Sequence, residues 1–447
     1  MTVARANRTA TRLHRRALAP YLPAAALFVW LCIEGFARRA NPDEAAYKII
    51  DVGIVHGQWP YRVLFINRQP MTFLWYLPMG FGASINAERV LAAAMMAASV
   101  PVVMHLAARW LSAARATPAG IVHALLLGNP LMPVLGNTEA FILLPLTASL
   151  AVSSPYVAGA LFAVAVMTKL HAAVFLPVLL VVWWRRLPPV ALGASAIVAV
   201  STLPFIPIWH DFWVANVTFT LDYGHYTSHD RIDALKSVDW QLIFATLPLW
   251  VAAVIGALRC RKPALLVWAL CGIASVKASG FDYEHYYALA VPPIALLAVE
   301  GLAYMHRRRV LRFVLVATSA WALFVSSVAV VAILNLHGAG QYEVIANALA
   351  SKPGEVYVLG SRSDVYTYAG RQPKRRFFFS IPFVIRQHWS EGVRADLLAC
   401  PPDVLVALSH DEEWPIPWRD DVIALYAHSE EYEAGTIYTE PRHACPR

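Results

Sequence analysis

The chain has 447 residues, 58% hydrophobic and only 15% charged, with 15 Trp and a mean hydropathy of +0.50. A soluble protein of this length needs far more charge to cover its surface, so repeated apolar runs of roughly 20 residues make this a polytopic α-helical membrane protein. The net charge of +8 gathers mostly in basic anchors and gives no case for nucleic acid, while five cysteines without a C-x-x-C exclude a zinc ribbon or redox motif.

The N-terminal stretch MTVARANRTATRLHRR holds five Arg and no acid, and no A-x-A-like site follows the first apolar run. Ala17 to Phe36 therefore reads as a retained span, with its arginines in the cytoplasm and the following loop, 37–70, outside. Within that loop Asn41 is suited to cap a helix, with Pro42 at its first position and Glu44 at its third, which completes a capping box. Tyr47, Ile50 and Ile54 then recur at helical spacing and Gly57 stops the run. The result is a short amphipathic helix with Asp43 and Glu44 at its positive end. Residue type alone leaves two readings of these acids, favourable dipole partners or chemistry.

Met71–Ile85 is apolar but short, and the further runs are Ala87–Leu111, Pro118–Val134, Ala140–Val152, Tyr156–Trp184 and Pro188–Trp209. A second polar loop, 210–239, precedes Trp240–Leu258, Ala264–Ser279, His285–Gly301 and Val310–Leu336. Basic clusters at Arg185-Arg186, Arg259 to Lys262 and Arg307 to Arg309 mark cytoplasmic turns, which place 210–239, the Gly280–Glu284 turn and everything after His337 outside. Two readings of the region from Met71 to Trp184 are self-consistent, and both total about eleven spans. In one, Met71–Ile85 crosses and Tyr156–Trp184 is a single tilted helix. In the other, which is favoured, Met71–Ile85 lies in or dips into the outer leaflet and Tyr156–Trp184 breaks near Thr168-Lys169-Leu170. That second arrangement brings Arg89, Glu139 and Lys169 to the face that carries the first loop.

From about Gly338 the composition changes. Gln341–Ala350 reads as a helix, 354–360 as a strand, RRFFF (375–379) as another, Val393–Cys400 as a helix, and Asp403–Leu408, Asp421–His428 and Gly435–Thr439 as strands. Strands alternating with helices predict a small extracytoplasmic α/β domain over 337–447, after a membrane domain over 1–336. Cys400 and Cys445 are the only cysteines of that outer domain and are expected to pair, since that compartment tolerates disulfides.

The Asp-Glu pair after the first span, Tyr47 three residues on, the G-x-x-P-Y at 57–61 and a basic residue near Pro70 resemble the polytopic glycosyltransferases of the protein O-mannosyltransferase and lipid A aminoarabinose transferase type, the GT-C fold. The segments VYVLGSRSDVYTYAGRQPKRRF and PPDVLVAL resemble the tail domain of bacterial members of that group. Two positions depart from the pattern: Val63 stands where the family often has Asp, and Arg68-Gln69-Pro70 where it often has Lys before Pro.

The resemblance implies an inverting transfer of a sugar from a polyprenyl-phosphate donor to an extracytoplasmic acceptor, in a multi-pass bacterial inner-membrane enzyme. Asp43 becomes the base, with Glu44 in a hydrogen-bonding or capping role and Tyr47 beside them. Such a site needs cations for the developing phosphate charge, and the candidates are Arg62, Arg68, Lys169 and His285, with Tyr61, Arg89, Glu139 and Tyr286 in support. Lys169 is a charge inside an apolar run, a placement that usually marks function or a cavity. Its alternative is a buried pair with Glu139. His210, His225, His229, Asp211, Asp222 and Asp230 populate the second loop. His225 and His229 have the spacing of one helical face and leave a divalent metal open, but their context reads as coil and favours a solvated or acceptor-covering loop. The absence of a P-loop, a G-x-S-x-G elbow or a nucleotide-binding fingerprint argues against a nucleotide-sugar donor. A secondary transporter or lipid flippase and a polysaccharide ligase or polymerase with a lipid-diphosphate donor are the rival classes. The first should show two similar halves, which this chain lacks.

Overall fold

The computed structural model describes residues 21–226, 240–278, 283–306, 340–409 and 414–445, with isolated helical positions between 313 and 331. The basic N-terminal stretch, His229, Asp230, most of the Gly280–Glu284 turn, Arg307 to Arg309 and nearly all of the Val310–Leu336 run lie outside the described residues. The chain divides into two compact units that cut across the sequence: one is 1–38, 89–201 and 230–336, the other 39–88, 202–229 and 337–447.

The first unit is wholly helical among its described residues. Its helices include Leu22–Ala37, Ala116–Leu127, Glu139–Ala151, Pro155–Thr168, Leu176–Trp183, Leu247–Arg259, Pro263–Ala278 and Val291–His306. Two of them, Leu247–Arg259 and Val291–His306, meet backbone to backbone. A Cβ at Gly256 would collide with the carbonyl of Leu297, and one at Gly301 with that of Ala252. Such close approach through small residues is how helices pack where lipid removes the hydrophobic drive between them. Polar side chains inside the helices close on their own turns, as Thr147 Oγ1 does by donating to the Leu143 carbonyl at 2.7 Å. Arg89 donates through Nη1 to the carbonyls of Gly35 and Arg38, at 2.6 and 2.7 Å. It thereby satisfies acceptors at the end of the first helix.

Among the described residues two helices are long and apolar enough to cross a membrane, Ile85–Trp110 and the continuous helical run Leu170–Tyr226, and seven shorter apolar helices accompany them. The Tyr156–Trp184 run is not one helix. Pro155–Thr168 ends at Lys169, whose backbone is extended (φ −152°, ψ 123°), and a 3₁₀ segment, Leu170–Phe175, follows. The Met71–Ile85 run is an 11-residue helix, Pro70–Gly80, about 16 Å long at 1.5 Å per residue and short of a ~30 Å core.

The second unit carries a four-stranded sheet of β1 (Val356–Leu359), β2 (Val404–Leu408), β3 (Tyr426–Tyr432) and β4 (Gly435–Pro441), in the order β1-β2-β4-β3. β1 and β2 are parallel, with Val356 opposite Val404, while β4 runs antiparallel to both β2 and β3. β1 and β2 are buried along their whole length, as expected of short all-apolar strands with both faces covered. Tyr357, Leu359, Leu405, Phe383, Leu397 and Trp418 form the core beside them.

Three expectations are corrected here. RRFFF is an irregular extended segment, not a strand. Its Arg376 carbonyl accepts from the Phe65 amide at 2.7 Å, and Phe377 packs at 5.0 Å on Trp389. Asp421–His428 splits into a short helix, Arg419–Ile423, and the start of β3. The predicted polar loop from His210 is helical to Tyr226, with a π-helical turn at Val214–Thr218. One side of that segment, Phe205, Ile208, Phe212, Ala215 and Phe219, is buried. Cys400 and Cys445 are disulfide-bonded, as expected, which ties the chain beyond β4 to the end of helix Gln387–Ala399.

Candidate active site

The helix predicted at Asn41 is present as Pro42–Val55. Asn41 Oδ1 accepts from the Glu44 amide at 2.8 Å, and Glu44 Oε2 accepts from the Asn41 amide at 3.0 Å, a complete capping box. Glu44 is thereby fixed as a cap and fully buried. Asp43, one residue earlier and half exposed, points elsewhere. Its Oδ2 meets Arg68 Nη2 at 3.1 Å and the Tyr47 hydroxyl at 3.4 Å, and Arg68 Nε donates to that same hydroxyl at 2.8 Å. Asp43 and Tyr47 share a helix face because they are four residues apart, and Arg68 comes from a different segment. The predicted base, the predicted tyrosine and one predicted cation are therefore brought together.

Arg68 is held from behind. Tyr61 is fully buried, its ring edge-on to Phe212 at 5.6 Å, and its hydroxyl donates to the Arg68 carbonyl at 2.8 Å. Its backbone sits at φ +70°, in the left-handed region, a conformation that costs of order 1–3 kcal/mol for a residue other than glycine. Burial pushes its phenol well above the usual range, so its proton stays on as the donor to Arg68. Sequence reasoning missed Tyr76, whose ring packs at 4.4 Å on Tyr47 and which feels the charges of Glu88, Glu44 and Asp43. Its only signal was position, one turn and a half beyond Arg68-Gln69-Pro70. It also missed Asp51, two turns along the helix from Asp43. Asp51 is fully buried, neither carboxylate oxygen has a hydrogen-bond partner among the described residues, and burial pushes its pKa up to about 9.

Arg62, expected with the phosphate cations, is engaged elsewhere. Its Nε meets Asp211 Oδ2 at 2.9 Å, and Asp211 Oδ1 in turn meets Arg376 Nη2 at 3.1 Å. Asp222 pairs with Arg386 at 2.6 Å. Two acids of the second loop thus hold the C-terminal domain. His225 lies on helix Phe219–Tyr226, and among the described residues no three His, Cys, Asp or Glu side chains gather as a metal site.

In the first unit a second cluster forms around Glu139, which is completely buried. Lys169 Nζ meets its Oε1 at 2.6 Å, and His171 and His285 approach the carboxylate at 3.9 and 4.0 Å. Lys169 also lies 4.6 Å from the centre of the Tyr286 ring. The structure thus brings together Glu139, Lys169, His285 and Tyr286, and it adds His171, whose Nε2 lies 2.7 Å from the Ser275 carbonyl. The break at Lys169 makes this cluster possible, because the extended residue turns its side chain out of the helical series.

Comparison with solved structures identifies the fold. ArnT from Cupriavidus metallidurans in the apo state superposes with a TM-score of 0.61 at 16% identity, covering 95% of this chain and 98% of that one. The same protein bound to undecaprenyl phosphate gives 0.59 at 17%, over 93% and 97%. The chain has the GT-C fold. An oligosaccharyltransferase from Archaeoglobus fulgidus, solved with Zn and sulfate, gives 0.54 at 13%, over 87% of this chain and 68% of that one. No protein-family model and no curated protein matches the sequence. With this likeness the apolar helices of the GT-C chain mark it as a membrane protein, mostly helical with a small C-terminal sheet.

Proposed function

We propose that this chain is an inverting membrane glycosyltransferase that moves a sugar from a polyprenyl-phosphate donor to an extracytoplasmic acceptor of the cell envelope. The observation that carries the reading is the Asp43–Tyr47–Arg68 group: a half-exposed carboxylate beside a guanidinium on a GT-C scaffold. Both contacts to Asp43 fall on Oδ2, which leaves Oδ1 for the acceptor hydroxyl. In the reaction the acceptor oxygen attacks the anomeric carbon as its proton passes to Asp43. The bond from that carbon to the phosphate oxygen breaks with its electron pair going to the phosphate, and the polyprenyl phosphate departs. Arg68 supplies the charge-assisted hydrogen bonds for the departing group. One displacement inverts the anomeric centre.

That one solved GT-C structure holds undecaprenyl phosphate supports the class of donor. Lys169 and His285 keep their assignment as donor-phosphate cations, with Glu139 and Tyr286 beside them. The topology that fits is about eleven spans in the bacterial inner membrane, with the N-terminus cytoplasmic. The Asp43 loop and the C-terminal domain are then outside, where the Cys400–Cys445 bond has an oxidising environment.

The reading is tested by incubating the purified protein with a panel of undecaprenyl-phosphate-linked hexoses and pentoses, together with a cell-envelope lipid extract as acceptor. Release of undecaprenyl phosphate, with the sugar appearing on the acceptor in the opposite anomeric form, is the expected result. Retention of anomeric configuration, or turnover only with lipid diphosphates, would overturn it.

A further inference from the structure

The chain that leaves β1 does not return directly to the sheet. Over 360–376 it grips both pieces of backbone that carry the Asp43–Arg68 group. The Ser363 hydroxyl donates to the Pro42 carbonyl, and the Tyr368 hydroxyl accepts from the Ala40 amide at 2.9 Å. Gln372 Nε2 donates to the Ile49 carbonyl at 2.7 Å, seven residues further along the same helix. The Arg376 carbonyl then takes the Phe65 amide, between Tyr61 and Arg68. The capping box satisfies the amides of Asn41 and Glu44 from within the helix. It does nothing for Ala40, and it cannot set where the helix start stands relative to Arg68, 25 residues away. The segment after β1 touches both. Ser363 is buried, and β1, from which the segment departs, is buried along its length beside β2. The grip is therefore anchored beside the buried strand pair of the domain.

We propose that this segment sets the position of Asp43 against Arg68, with Ser363 and Tyr368 as positioning residues of the transfer reaction. The inference rests on Asp43 being the base, and it gives the C-terminal domain a role in turnover. Misplacing a reacting group by about 1 Å costs on the order of 10²-fold in rate, so loosening two of four contacts by removing one oxygen from each side chain should be visible without loss of the domain.

The test is Ser363→Ala combined with Tyr368→Phe. Hydrogen exchange followed by mass spectrometry should show uptake in the peptide over 39–47 faster by about 10-fold, with β2 (404–408) unchanged. Uptake over 39–47 equal to wild type overturns the proposal. So does a rise that extends equally to β2, which would make the two hydroxyls mere supports of the domain. In the undecaprenyl-phosphate-sugar assay the double variant should lose about 10-fold in kcat with the donor KM unchanged. Placed in an Asp43→Asn background it should cost nothing further, because the group it positions is gone, whereas losses that multiply contradict positioning. Should Asp43→Asn itself turn over at the wild-type rate, the assignment of the base fails, and the exchange result alone decides whether the segment orders the helix start.

Discussion

Two groups of opposite charges in this molecule use nearly the same side chains and differ in how deeply they sit. Asp43 and Arg68 are 44% and 19% exposed, whereas Glu139 and Lys169 are 0% and 14% exposed. At the first site water competes with the pair, so exchanging one partner for a substrate is cheap and the ion pair itself contributes little to stability. At the second, desolvation makes each charge dependent on the other, and removing one leaves the other stranded. Exposure thus separates a pair whose partners can be exchanged at little cost to the fold from a pair whose charges the fold also depends upon.

The sharpest way to break that contrast is at Asp43. Asp43→Asn keeps size and shape but cannot take the acceptor proton, and turnover should fall ~10²–10⁴-fold with the thermal midpoint of the detergent-solubilised protein unchanged. At the buried site the order should reverse. Lys169→Met should destabilise by about 3–5 kcal/mol because Glu139 loses its nearest cation, and Lys169→Met with Glu139→Gln should recover most of that loss. Chemical denaturation of both variants would read it, and equal instability of the single and double variants would mean that the two charges are not coupled. Arg68→Ala comes next. Loss of a charged hydrogen bond of about 1.5–3 kcal/mol should appear as weaker binding of undecaprenyl phosphate as well as slower turnover. Glu44→Gln should be milder still, because Gln also completes a capping box.

Asp51 sharpens the comparison from a third side, as a buried acid whose carboxylate has no hydrogen-bond partner among the described residues. Burial holds its folded pKa at about 9, above the 3.8 of a free carboxyl, so the folded state holds a proton that the unfolded chain releases. Its contribution is fully present below about pH 4 and is lost progressively as pH rises toward 9. The thermal midpoint of wild type should therefore drop between pH 5 and pH 8 more steeply than that of Asp51→Asn. Parallel curves for the two proteins would mean that the carboxyl finds a partner in solution.

Much of the first site could be read from the chain because its signals are local. Asn41, Pro42 and Glu44 announce a helix start by spacing, and Asp43 and Tyr47 share a face by the helical period. Tyr76, His171 and Asp51 announce nothing, since what matters about each is a neighbour or a burial fixed by tertiary packing. The segment from His210 was misread for another reason. Its histidines, aspartates and Gly224 look like a loop, while Trp209 and Trp213 on one side and Phe212 and Phe219 on the other leave no polar face to reveal a helical period. RRFFF has the composition of a strand, but its Phe377 ring packs against Phe65 and Trp389 instead of joining a ladder. Propensity yields there to side-chain burial.

The order of the sheet has a consequence for how the protein matures. β4 is the last of the four strands in the chain and yet lies inside the sheet, between β2 and β3. As the chain is made β1 and β2 can pair first, but β2 keeps an open edge until residues 435–441 have followed, and the Cys400–Cys445 link can close only after that. The sheet is thus completed by β4, the strand that follows the other three in the chain. A reporter fused ahead of β4 would interrupt assembly, whereas one appended beyond Cys445 would leave it a complete sheet to form.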